Sequence, residues 1–136
     1  MKRILTILAL SLLFLAGASV QAEQPVSADG MISCDNPYIF DGDTLACGET
    51  RIRLYGIDTP EMPDHCPKGK RCVSGDPFAA KAYLKSIITG NVTCRKVDED
   101  RYKRTVALCE SNGQDLSCAM LKSGHAVERY GTLSCS

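Results

Sequence analysis

The chain has 136 residues, with 16 basic and 16 acidic side chains, eight cysteines and no tryptophan. That length holds one small domain and excludes a multidomain assembly. The even charge balance argues against a broad electrostatic nucleic-acid binder, which would be basic, so any site for a polyanion has to be local.

The first 22 residues open on Lys2-Arg3, run apolar from Ile4 to Ala16 and end on Val20-Gln21-Ala22. A basic start, a short hydrophobic stretch and a small-residue cleavage pattern make a secretory signal peptide, too short and wrongly flanked for a stable membrane span. Its removal would leave 114 residues of net charge −2, in the periplasm or outside the cell, without lasting membrane association. Residues 23–30 read as a flexible leader and 31–136 as the folded domain.

Cys34, Cys47, Cys66, Cys72, Cys94, Cys109, Cys118 and Cys135 all lie in the exported part. An even number in a short exported chain reads as disulfides, with too many possible pairings for sequence to fix the connectivity. Chain position suggests neighbours: Cys34–Cys47, Cys66–Cys72, Cys94–Cys109 and Cys118–Cys135. A zinc site at His65, Cys66 and Cys72 is the rival, and it lacks a fourth ligand in a paired motif.

Met31 to Phe40 reads as a strand before an Asp41-Gly42 turn, with Thr44 to Cys47 returning. From Arg51 the chain alternates, with Ile52 and Leu54 to one face and Arg51, Arg53 and Tyr55 to the other. The phase breaks at Gly56. A bulge there would return Ile57 to the core and set Asp58 on the face of Arg53. Pro60 ends the ladder, and residues 62–75 form a loop whose Cys66–Cys72 segment presents Lys68, Lys70 and Arg71. Asp76-Pro77 opens a helix with Ala80, Leu84, Ile87 and Ile88 inward and Gly90 as its stop. Asn91 to Val97 and Arg104 to Glu110 are strands. Asp115 to Ser123 is a second helix with Leu116, Ala119 and Met120 inward, stopped by Gly124. Five strands and two helices of this size are most easily stabilised as a closed barrel.

Two acidic pairs, Asp41/Asp43 and Asp58/Glu61, bracket Arg51 and Arg53. Carboxylate oxygens suit calcium or magnesium, and the guanidinium fork matches phosphate. The plainer reading is a solvated hairpin with weak surface ion pairs. His65 and His125 lie in no recognisable catalytic motif.

Three runs carry a resemblance: Asp41-Gly42-Asp43-Thr44, Arg53 followed by Asp58-Thr59-Pro60-Glu61, and Asp100-Arg101-Tyr102-Lys103-Arg104. In order, spacing and interposed helix they resemble the staphylococcal nuclease (thermonuclease) family, over roughly Met31 to Tyr130. The resemblance implies an α+β architecture: an OB-fold five-stranded β-barrel with two packed helices. It also implies a monomeric calcium-dependent phosphodiesterase acting on DNA and/or RNA. Carried over by position, Asp43 and Asp58 would bind Ca2+ through carboxylates and Thr59 through its carbonyl. Glu61 would activate or position the attacking water, and Arg53 and Arg104 would hold the scissile phosphate. Arg101, Tyr102 and Tyr130 would line the nucleotide pocket. The chain departs from the family at Lys103, where glycine is common, and in lacking a longer helix after Tyr130. Two alternatives stand beside this reading: an inactive nucleic-acid- or protein-binding module on the same barrel, and a structural or inhibitory disulfide-rich export protein. The intact Asp43, Arg53, Asp58, Glu61 and Arg104 argue against the first, since a binder has no need for that acidic set, and only the cysteines suggest the second.

Overall fold

The computed structural model describes residues 29–136, so the signal-peptide segment and most of the leader lie outside the described residues. In chain order the elements are β1 (Met31–Cys34), β2 (Tyr38–Ile39), β3 (Thr44–Cys47), β4 (Thr50–Leu54) and β5 (Ile57–Asp58). Then come α1 (Pro77–Ile87), β6 (Val92–Glu99), β7 (Thr105–Ser111), β8 (Gln114–Asp115), α2 (Leu116–Lys122) and β9 (Val127–Glu128).

The main sheet runs β1-β6-β7-β4-β3-β2. Its two edge strands, β1 and β2, are separated in sequence only by Asp35-Asn36-Pro37. Pro37 has no amide donor for a ladder, so the single strand expected over 31–40 is bent into two arms. One arm pairs with β6 and the other with β3, both antiparallel. The chain itself therefore joins the sheet's edges, and the five-stranded barrel closes through one bent strand. Only the β4–β7 pairing within this sheet is parallel.

Alternation along the strands fills the interior with Ile39, Leu45, Ile52, Leu54 and Val92, against Leu84 of α1 and Leu116 and Met120 of α2. Both helices start at a side-chain cap. Asp76 accepts from the amides of Phe78 and Ala79, and Asp115 from that of Cys118. Helix α1 ends at Ile87, short of the expected Gly90, because Ile88 is already extended; Ile87 and Ile88 still pack on the core.

All four neighbour disulfides are present, with no free cysteine among the described residues. Bonding of Cys66 to Cys72 removes the zinc alternative. Cys34–Cys47 links the end of β1 to the end of β3, across the barrel seam rather than within one hairpin.

The bulge expected at Gly56 is corrected. Gly56 has φ +78° in a turn after β4, and the chain leaves the sheet there. A Cβ at this position would lie 2.7 Å from the side chain of Leu133, so glycine serves both the dihedral and the packing. β5 then pairs with β9 in a separate two-stranded ribbon. Ile57 and Asp58 end up buried all the same.

Candidate functional site

Pairing of Thr44 with Arg53 across β3 and β4 brings the Asp41-Gly42-Asp43 turn beside the guanidinium. Asp41 Oδ1 accepts from the Asp43 amide at 3.0 Å, tightening the turn. Gly42 is wedged under α1: a Cβ there would stand 2.8 Å from that of Ala80 and 3.0 Å from the Thr59 side chain. Asp43 is thus pressed inward with 4% exposure, and Asp58, delivered by the Gly56 turn, has 1%.

Arg53 bridges the two acids. Its Nη1 donates to Asp43 Oδ1 at 3.1 Å, and its Nη2 to Asp58 Oδ1 at 2.9 Å and to the Ile57 carbonyl at 3.2 Å. Asp43 Oδ1 also accepts from the Thr44 hydroxyl at 2.9 Å, and Oδ2 from the Thr59 amide at 3.2 Å. Asp58 Oδ2 accepts from Arg129 Nη1 at 2.8 Å. Every oxygen of the two carboxylates is engaged. Burial nevertheless pushes the Asp43 carboxyl up to about 7, helped by Asp41 and Asp58 and opposed by Arg53 and Thr44. Burial works against the charge on Arg53, but Asp43 and Asp58 outweigh it and raise its pKa above the ordinary arginine value.

Arg104 joins this cluster through Thr44. Its Nη1 lies 3.4 Å from Thr44 Oγ1, and its Nε donates to Asp100 Oδ2 at 2.7 Å. Asp100 also accepts from the amides of Tyr102 and Arg104. Partial burial acts against the charge of Asp100, but the bonds from Arg104 and Tyr102 lower its pKa. Lys103 adopts φ +64°, the left-handed conformation that a glycine would take without strain. The turn closes with the Lys103 amide on the Asp100 carbonyl at 2.9 Å. The departure at Lys103 therefore leaves the backbone path of a glycine turn in place.

The expected pocket residues meet in a cleft of about 670 Å³. Tyr102 and Arg101 line one side, with Arg104 5.4 Å and Arg101 4.9 Å from the Tyr102 ring centre. Tyr130 stands over Arg53 at 5.6 Å. Glu61 is set apart from the Arg53 cluster: its Oε1 accepts from Lys70 Nζ at 2.9 Å, and the same ammonium is 4.0 Å from Asp58 Oδ2. Burial opposes the Lys70 charge, yet Glu61 and Asp58 raise its pKa.

Thr44, Lys70 and Arg129 are the site residues that sequence reasoning missed. Thr44 directly follows an assigned acid, and Lys70 lies in the basic loop already noted. Arg129 carries no local signal, since only the β5–β9 pairing brings it to Asp58. His125 packs on Tyr83, with ring centres 5.0 Å apart.

Among the described residues, no three His, Cys, Asp or Glu side chains gather as a metal centre. The two converging acids still offer a hard, all-oxygen donor set. The upward shift of Asp43 shows that one guanidinium does not offset its burial. That set fits calcium, which accepts an incomplete protein shell completed by water, better than a soft metal.

The family model described as staphylococcal nuclease homologue matches residues 51–134. This range takes in Arg53, Asp58, Glu61 and the Asp100–Arg104 run, while Asp41–Thr44 precedes it. Succinoglycan biosynthesis protein ExoI of Rhizobium meliloti is 30% identical over 96 residues, 67% of this chain and 49% of that protein. Probable endonuclease LCL3 of Yarrowia lipolytica is 35% identical over 89 residues, 60% of this chain and 37% of that protein. An uncharacterized 38.1 kDa protein of Capnoides sempervirens is 38% identical over 76 residues, 56% of this chain and 20% of that protein. The chain thus spans half or less of the length of these curated relatives.

Proposed function

Because the chain belongs to the staphylococcal nuclease homologue family, we propose that it is an exported, calcium-dependent nuclease hydrolysing phosphodiester bonds of DNA or RNA. One observation carries the reading: Arg53 bridges two buried acids, Asp43 and Asp58, while Arg104 reaches the same cluster through Thr44. A relative named a probable endonuclease supports it, and four disulfides support an oxidising compartment, periplasmic or extracellular.

In this mechanism Asp43, Asp58 and the Thr59 carbonyl hold calcium, which supplies Lewis-acid stabilisation of phosphoryl charge when bound. Arg53 and Arg104 neutralise the charge that grows on phosphoryl oxygens as water attacks. Arg53 must turn from the acids toward the phosphate, and its two nitrogens suit a bidentate hold. Glu61 positions the attacking water or takes its proton. The exposed rings of Tyr102 and Tyr130 provide faces for the flanking bases, with Arg101 beside Tyr102.

A second reading draws on a different observation. Every oxygen of Asp43 and Asp58 already has a donor, as in a barrel that binds a polyanion without cutting it. Incubating the mature protein with single-stranded DNA separates the two. Digestion that needs calcium, stops with chelator and is poorly restored by magnesium supports the nuclease. Undiminished digestion in excess chelator rules out the calcium mechanism. Binding without digestion at any calcium level establishes the binding module instead.

A further inference from the structure

We propose that Lys70 is a positioning residue for Glu61, and that the Cys66–Cys72 disulfide holds it there; the role rests on the hydrolytic reading above. Glu61 lies beyond β5 and after Pro60, so no sheet ladder fixes its side chain. Among the described residues, Lys70 is the hydrogen-bond partner of its carboxylate, at 2.9 Å. Both side chains are partly buried, at 27% and 25% exposure. Lys68, two residues earlier on the same loop, is exposed and makes no ion pair among the described residues.

Little besides the disulfide shapes this loop. Residues 62–75 contain no helix or strand. Their backbone bonds to one another are short-range: the His65 amide to the Met62 carbonyl, and the Lys70 amide to the Pro67 carbonyl. The Cys66–Cys72 bond closes a separation of six residues around Lys70. A second tie meets it from the other side. Arg129 Nη1 donates to the Arg71 carbonyl at 3.0 Å while also holding Asp58. The residue next to Lys70 is thus anchored to one acid as Lys70 itself reaches the other. Such a clamp restricts the carboxylate of Glu61 to one place beside the cleft, and misplacing a catalytic group by an ångström is costly to turnover.

Two measurements test this, with far-UV circular dichroism confirming the fold of each variant. The first is steady-state digestion of single-stranded DNA. Lys70→Met should lower kcat about ten-fold with KM changed less than about two-fold, and Lys70→Arg should recover most of the loss. The Cys66→Ser/Cys72→Ser variant should match Lys70→Met, and combining all three substitutions should add nothing further. An unchanged kcat in Lys70→Met, or additive losses, overturns the proposal. The second needs no substrate: competitive acylation of lysines, read by mass spectrometry. Lys70 should react roughly five-fold more slowly than Lys68, and the difference should vanish in Glu61→Gln and in the cysteine variant. Equal labelling in the parent protein overturns the clamp whatever the activity. Slow labelling in a protein that digests nothing supports the clamp and overturns the hydrolytic function assigned to it.

Discussion

Asp43 is buried beside one guanidinium and two other acids, and its carboxyl is pushed up to about 7 from an ordinary 3.8. Between those values the folded protein keeps a proton that the unfolded chain has released. Stability of the metal-free protein should therefore fall as pH rises from about 4 to about 7, and level off above. Urea midpoints in chelator, measured at about pH 4.5 and about pH 7.5, should show that fall in the parent and a much smaller one in Asp43→Asn. Asp100 acts with the opposite sign in a lower window. Its lowered pKa gives stability that is present above the ordinary carboxylate range and lost as pH falls through the folded value. Arg104 carries the second residue-scale prediction. Its Nε is spent on Asp100 and its Nη1 faces Thr44, an arrangement that a single ammonium cannot reproduce. Arg104→Lys should lower turnover about 10²-fold with the far-UV spectrum unchanged; near-parent turnover would remove Arg104 from the phosphate.

Among the elements, the turn between β6 and β7 stores strain at Lys103, whose φ is +64°. A left-handed lysine costs about 1–2 kcal/mol, and glycine returns part of that as unfolded-state entropy. Lys103→Gly should stabilise the protein by about 0.5–1 kcal/mol in denaturant unfolding, and a loss of stability would show that the ion pair of Lys103 Nζ with Glu99 Oε1, 3.4 Å apart, outweighs the strain. Elements with local causes were legible in the sequence. Asp76-Pro77 and Asp115 announce both helices through their own side chains, and Ala80, Leu84, Leu116 and Met120 follow the helical period into the core. The bend at Pro37 and the turn at Gly56 were less so. Each residue suits several backbone paths, and the contacts that select among them lie far along the chain. β1 is claimed by β6, and the packing at Gly56 is set by Leu133. The same distinction divides the site. Asp43, Arg53, Asp58 and Arg104 sit in local motifs that name them, whereas Arg129 owes its place to a ribbon formed across 71 residues of sequence.

For the whole molecule, Cys94–Cys109 joins facing residues of the β6–β7 ladder, whereas the other three disulfides tie segments that no ladder pairs. Cys34–Cys47 spans the seam left by the bent first strand. Removing it as a Cys34→Ser/Cys47→Ser pair should cost about 3 kcal/mol in denaturant unfolding, against about 2 kcal/mol for the shorter Cys66–Cys72 loop. Equal or reversed losses would mean that the seam is held by packing alone. The segment beyond α2 has a different place in the design. β9 pairs with β5, Arg129 and Tyr130 stand over Asp58 and Arg53, and Cys135 fastens the segment back to α2. Synthesis delivers these residues well after both buried acids. A chain emerging from the ribosome carries Asp43 and Asp58 long before it carries Arg129 or the Tyr130 ring. All strands of the main sheet precede β9 in the chain, and the cleft gains this wall only once β9 and Tyr130 have been made. The wall that β9 and Tyr130 supply is therefore the last part of the cleft to be synthesised, after every strand of the main sheet.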